Sequence, residues 1–172
     1  IIGPAHNEEI TAGATVRSLL TLDYRAYEII VVDDGSTDDT ARVLTEAYGL
    51  PRIQRPIHRR VPCQREEAVY ESLSHKVPLT LICKKNGGKA DALNMGINAS
   101  RFPYFICMDA DSVLQHDSLR RIIQPVLENE NVVAVGGLVR AANGVELENG
   151  RVRRWQLPRS LLVILQPLDY DR

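Results

Sequence analysis

Short, unbroken runs of aliphatic and β-branched residues recur along the chain, with helix-forming stretches between them, and that alternation admits few folds. Glu28-Ile-Ile-Val-Val32, Leu79-Thr-Leu-Ile-Cys83, Tyr104-Phe-Ile-Cys-Met108 and Val132-Val-Ala-Val135 each read as a strand, and Ile1-Ile2 already lie inside another. Their apolarity is continuous rather than alternating, as expected of parallel strands covered on both faces. Thr11 to Leu22 places Val16, Leu19 and Leu20 on one helical face. Ser36 and Thr37 are N-cap candidates for a second helix reaching about Tyr48, with Asp38 and Asp39 in its first turn. Lys89 to Ala99 reads as a third helix, and Ser118 to Leu127 as a fourth that Pro125 bends or ends. The order predicts an α/β fold with an open, mostly parallel sheet flanked by helices.

Two stretches break the rhythm. Leu50 to Val77 opens with Pro51, Arg52, Arg55, Pro56, Arg59, Arg60 and Pro62, then turns more helical from Gln64 to Ser74; it reads as a solvated surface insertion. Asn149-Gly150 is a tight-turn signal, so Val145 to Val152 reads as a β-hairpin near the C-terminus. The 172 residues predict a single domain. A hydrophobic share of 44% excludes a disordered chain. With 21 basic and 22 acidic residues the net charge is -1, which argues against a nucleic-acid partner, since such binding rests on excess positive charge. Cys63, Cys83 and Cys107 are odd in number and in no metal pattern, so a reducing compartment is expected, with Cys83 and Cys107 buried. The aliphatic run Leu161 to Leu165 is far short of the roughly 20 residues of a membrane helix. Opening inside a strand and ending on Asp171-Arg172, the chain reads as a soluble piece of a longer protein whose membrane segments, if any, lie elsewhere.

Ligands of open α/β sheets bind beyond the carboxyl ends of the strands. Four clusters fall there: Pro4-Ala5-His6-Asn7-Glu8-Glu9, Asp33-Asp34-Gly35-Ser36, Lys84-Lys85-Asn86-Gly87-Gly88-Lys89 and Asp109-Ala110-Asp111. Two carboxylates ~4 Å apart repel by about 1 kcal/mol in water and ~4 kcal/mol at an effective dielectric of 20. A hard divalent cation, Mg²⁺ or Mn²⁺, relieves that repulsion between Asp109 and Asp111. The Gly87-Gly88 turn allows backbone N–H groups to approach a phosphate, which Lys84, Lys85 and Lys89 would neutralise. It is no Walker loop, because Lys89 is followed by Ala90.

Taken together, Pro4-Ala-His-Asn-Glu-Glu9, Val31-Val-Asp-Asp-Gly-Ser36, Asn86-Gly-Gly-Lys-Ala-Asp-Ala-Leu-Asn94 and Met108-Asp-Ala-Asp-Ser112 resemble the family 2 glycosyltransferases, processive polysaccharide synthases above all. The resemblance implies a GT-A fold, Rossmann-like, with a nucleotide-binding half over 1–112 and an incomplete acceptor side over 113–172. It implies an inverting transfer of a hexose or N-acetylhexosamine from a UDP-sugar donor to a saccharide or lipid-linked acceptor, with Mg²⁺ or Mn²⁺. Pro4, Ala5, His6, Asn7, Glu8, Asp33 and Asp34 would hold uracil and ribose; Gly88 and Lys89 would face the diphosphate, with Asn94 bracing the loop. Asp109, Ala110 and Asp111 would form the DxD motif, both carboxylates taking the metal. Gly136, Gly137 and Arg140 would flank the donor sugar and the acceptor path. A parent protein at the cytoplasmic side of the cell membrane is implied.

The family places its general base and a Gln-x-x-Arg-Trp element further on. Arg153-Arg154-Trp155 comes too early to be that element, so the base is expected beyond Arg172 and this piece is expected to bind donor without transferring sugar. Two alternatives stand beside this reading. Asp109-Ala-Asp-Ser-Val113 also fits haloacid-dehalogenase phosphatases, though the order of the other motifs is then wrong. A non-catalytic nucleotide-sugar-binding module is the other.

Overall fold

The computed structural model describes residues 1–109, 112–137, 145–148 and 151–155. The chain divides into two compact units, Ile1–Leu20 with Arg25–Val113, and Thr21–Tyr24 with Leu114–Arg172.

The first unit is built on β1 (Ile2–Ala5), α1 (Ala12–Leu19), β2 (Ile29–Asp34), α2 (Thr40–Tyr48), β3 (Arg52–Ile53), β4 (Glu66–Ser72), β5 (Leu79–Lys84) and α3 (Lys89–Ala99). The sheet order is β1-β2-β5-β4-β3. β1, β2 and β5 run parallel, with Ile2 opposite Ile30 and Ile29 opposite Leu79. β4 and β3 join antiparallel beyond β5. All six residues of β2 are buried, as its unbroken apolarity requires. Strand alternation puts Ile30, Val32, Val69 and Ile82 on one face, where they pack with Ala92, Met95 and Ala99 of α3. α3 crosses β1 closely: a methyl group on Gly96 would overlap the Ile2 side chain.

The insertion is not a solvated excursion. Residues 66–72, expected to be helical, form β4, and Arg52–Ile53 form the edge strand β3. Ile53, Ile57 and Cys63 pack against the core cluster. One stripe of α3 then fastens the intervening strap: Asn98 Oδ1 accepts from Arg60 N (2.8 Å) and Val61 N (2.9 Å), Asn98 Nδ2 donates to Val61 O (2.7 Å), and Gln64 N donates to the Asp91 carboxylate at 3.0 Å.

Other expectations shift. α2 begins at Thr40 behind Asp39, not behind Ser36 or Thr37, so Asp38 and Asp39 precede its first turn. Tyr104–Met108 makes a single parallel bridge, Cys107 to Ile2, instead of a strand; Tyr104 and Phe105 are exposed. Cys107 is likewise exposed and Cys83 half-buried, where full burial was expected of both.

In the second unit α4 (Ser118–Glu128) continues through Pro125, the Asn129 amide closing its end on the Pro125 carbonyl at 3.2 Å. Arg120 pairs with Asp23 at 2.6 Å. The run Val132–Val135 is not a strand, and Val133 is 97% exposed. β6 (Val145–Glu148) and β7 (Arg151–Trp155) form the expected antiparallel hairpin.

Candidate functional site

At the carboxyl ends of β1, β2 and β5 the chain leaves the sheet in three loops that hydrogen-bond to one another. His6 Nδ1 lies 3.0 Å from Asp34 O and 3.4 Å from Asn86 Nδ2, and Asn86 Nδ2 also donates to Asp34 O at 3.0 Å. Asn7 takes a left-handed backbone, φ 58°, which Asn tolerates better than most residues. Its amide donates to Ser36 Oγ (3.0 Å), and its Oδ1 accepts from Thr37 N (2.8 Å). Glu8 N donates to Thr40 Oγ1 at 2.8 Å, and Thr11 Oγ1 donates to the Glu8 carboxylate. Gly35, at φ 68°, is required on two counts: its backbone is left-handed, and a Cβ there would sit 2.6 Å from Asn86 N.

The two Asp residues that end β2 are both spoken for. Asp33, 5% exposed, accepts from Ser36 N at 3.0 Å, a local turn that closes the loop. Asp34, 4% exposed, accepts from Gly87 N (3.0 Å) and Gly88 N (2.7 Å) and pairs with Lys84. Lys84 is wholly buried; it also reaches Asp91 at 2.8 Å and donates to Lys85 O at 2.9 Å. Burial alone would raise the Asp34 carboxyl, but the Lys84 ammonium and the two glycine amides outweigh it and hold it below its ordinary range. Burial would lower Lys84, and its hydrogen bonds to Asp34 and Asp91 reverse that, so it stays charged. Burial, with Asp33 nearby, pushes the Cys83 thiol up to about 12, leaving it inert at neutral pH.

This corrects the sequence reading of the glycine turn. The N–H groups of Gly87 and Gly88 point inward at Asp34, not outward at a phosphate, and Lys84 is a buried counter-ion. Lys89, by contrast, stands at the first position of α3 and ion-pairs with Asp109, the two side chains 62% and 53% exposed. Asp109 follows the bridge to β1, where Met108 N donates to Ile2 O at 3.1 Å. Asn94 Nδ2 donates to Pro62 O at 3.0 Å, a bond that braces the strap. Gly136 and Gly137 lie in the second unit on a stretch without ladder pairing. Ala110, Asp111 and Arg140 lie outside the described residues. Among the described residues no group of three or more His, Cys, Asp or Glu side chains forms a metal cage. What fits a hard divalent cation is Asp109 itself: an open carboxylate that already draws a cation, the Lys89 ammonium, to its oxygens.

Sequence reasoning missed Asp91, Asn86 and Asn98 as organisers of this edge. The signal was available in Asp91, Asn94 and Asn98, spaced as one helical stripe of polar residues facing a Pro-rich segment.

The sequence profile of the family described as "Glycosyl transferase family 2" matches residues 1–167. The chain is 31% identical over 138 residues to the poly-beta-1,6-N-acetyl-D-glucosamine synthase of Staphylococcus epidermidis, which covers 80% of the chain and 27% of that protein. It is 28% identical over 138 residues to the synthase of the same description from Staphylococcus aureus. The chain thus spans about a quarter of the length of the curated relatives it matches. Among solved structures, S. aureus TarS 1–349 in complex with UDP-GlcNAc aligns at TM-score 0.55 and 20% identity over 80% of the chain and 36% of TarS. The mannosyltransferase PcManGT from Pyrobaculum calidifontis, in complex with GDP-Man and Mn²⁺, aligns at TM-score 0.54 and 21% identity over 83% of the chain and 35% of that enzyme.

Proposed function

The chain belongs to glycosyl transferase family 2, its fold is that of the GT-A glycosyltransferases, and on that premise we propose that it forms the donor-binding part of an inverting, metal-dependent transferase. The donor in this reading is a UDP-sugar carrying a hexose or N-acetylhexosamine, and the acceptor a saccharide or a lipid-linked glycan. UDP-N-acetylglucosamine is the first donor to test, given the synthases it resembles and the ligand of TarS. Family membership sets the phosphatase alternative aside.

The observation that supports this best is the mutual bonding of the strand-end loops: His6, Asp34 and Asn86 meet at one point, and Lys89 meets Asp109. Pro4 to Glu8 with Asp33-Asp34 form the wall for uracil and ribose. In this wall the exposed His6 and Asn86 face the nucleoside, while Asp34 acts from behind by fixing the Gly87-Gly88 turn. Lys89 neutralises the diphosphate from the N-terminus of α3, whose dipole also favours an anion. Asp109 and Asp111 would hold Mg²⁺ or Mn²⁺, which when bound offsets the charge of the leaving diphosphate. No helix among the described residues is long and apolar enough to cross a bilayer.

Calorimetry tests the reading. UDP should bind in Mn²⁺ or Mg²⁺ and lose its affinity in EDTA, and Asp111→Asn should weaken binding at least tenfold, about 1.4 kcal/mol. ADP and GDP should compete poorly. Equal affinity with and without the metal would sink the proposal.

A further inference from the structure

We propose that Lys89 is the resident counter-ion of Asp109 in the ligand-free protein, and that donor binding proceeds by exchange. The diphosphate draws the Lys89 ammonium away and leaves the Asp109 carboxylate to the divalent cation. The inference rests on the reading of this edge as a UDP-sugar site, and it adds an order and a coupling to that reading.

The geometry separates the lysines of the turn by what they can do. Lys84 is buried between Asp34 and Asp91 and cannot leave without stranding two carboxylates. Lys89 sits on the surface, on the first residue of α3, and its ion pair with Asp109 is open to water. Exposed pairs of this kind are weak, so the ammonium can be drawn off by a stronger anion. A diphosphate carries more charge than one carboxylate and arrives at the helix end where Lys89 is rooted. At contact distance, however, an ammonium and a divalent cation on the same carboxylate repel each other. Lys89 therefore opposes metal binding while no nucleotide is present and favours nucleotide binding once metal is present. Because binding free energies are reciprocal, metal and nucleotide each tighten the other.

The diagnostic is a substitution with effects of opposite sign. Mn²⁺ binding to the 172-residue chain is followed by the electron paramagnetic resonance of the free ion, for wild type, Lys89→Gln and Lys89→Arg, with and without UDP. Without nucleotide, Lys89→Gln should bind Mn²⁺ about threefold more tightly, the scale of an exposed ion pair. With Mn²⁺ present, the same variant should bind UDP about tenfold more weakly. Lys89→Arg, which keeps the charge, should stay near wild type in both, and on an Asp109→Asn background the gain in Mn²⁺ affinity should vanish. A merely structural lysine would move both constants the same way, and that result, or an unchanged Mn²⁺ affinity without nucleotide, overturns the exchange. Failure of wild type to bind UDP with Mn²⁺ would instead defeat the donor-site reading, and the nucleotide-free titration would still decide the role of Lys89.

Discussion

Lys84 is the largest of the fully buried side chains among the described residues, and its position explains why the glycine turn has one shape. The ammonium ties the end of β2, through Asp34, to the first turn of α3, through Asp91. Removing one partner of a buried ion pair typically costs about 3–5 kcal/mol, because the charges left behind are uncompensated. Lys84→Met should therefore lower stability in urea by about that amount at pH 7; a loss below ~1 kcal/mol would show that the cluster contributes little. The pH dependence follows from both partners. Asp34 titrates below its ordinary 3.8 in the folded chain, so its contribution is present above that value and is lost as pH falls through the folded value. Lys84 titrates above its ordinary 10.5, so its contribution is present below that value and is lost as pH rises through the folded value. Wild type should lose stability toward both extremes, and Lys84→Met should lose the alkaline limb. The sequence showed that lysines and carboxylates share this edge; it could not show which lysine is inside. Lys84 and Lys89 are equivalent by composition, and only the register of β5 against β2, which places Lys84 opposite Asp34, tells them apart.

At the scale of elements, α3 was legible to the residue, from Lys89 to Ala99, because a Gly-Gly turn opens it and small or aliphatic residues line one face. β4 was not. Its Glu66, Glu67, Ala68 and Glu71 are helix formers by intrinsic propensity, and pairing with β5 and β3 overrides them. The opposite error befell Tyr104–Met108 and Val132–Val135, whose apolarity predicts strands; the first finds one bridge, and no ladder partner for the second lies among the described residues. The strap between β3 and β4 owes its order to α3, chiefly to Asn98, 8% exposed. Asn98→Ala would free the amides of Arg60 and Val61 and the carbonyl of Val61. Hydrogen bonds of this kind contribute roughly 0.5–1.5 kcal/mol each. Hydrogen exchange at residues 60 and 61 should accelerate in this variant, while the amides of β2 and β5 keep their protection; unchanged exchange at 60 and 61 would mean that packing of Ile57 and Cys63 alone holds the strap.

In the molecule as a whole, the edge where β1, β2 and β5 end is the place proposed for a metal–nucleotide complex. The convergence of motifs there was legible from chain order and the rule for α/β sheets. The inward turn of Asp33 and Asp34 was not, because a carboxylate at a strand end can face a ligand or its own loop with the same sequence. A concavity lined by Arg52 to Pro56 and Glu66 to Val69, at the β3–β4 edge, offers a distinct location against which to test this assignment. The most direct measurement is nuclear magnetic resonance of the ¹⁵N-labelled chain with Mn²⁺ and UDP-N-acetylglucosamine, reading which amides the paramagnetic ion broadens. Broadening should centre on Asn7, Gly35, Asn86 to Lys89 and Cys107 to Asp109, and should require both metal and nucleotide for its full extent. Broadening centred instead on Arg52 to Pro56 and Glu66 to Val69, or none with both ligands present, would contradict it.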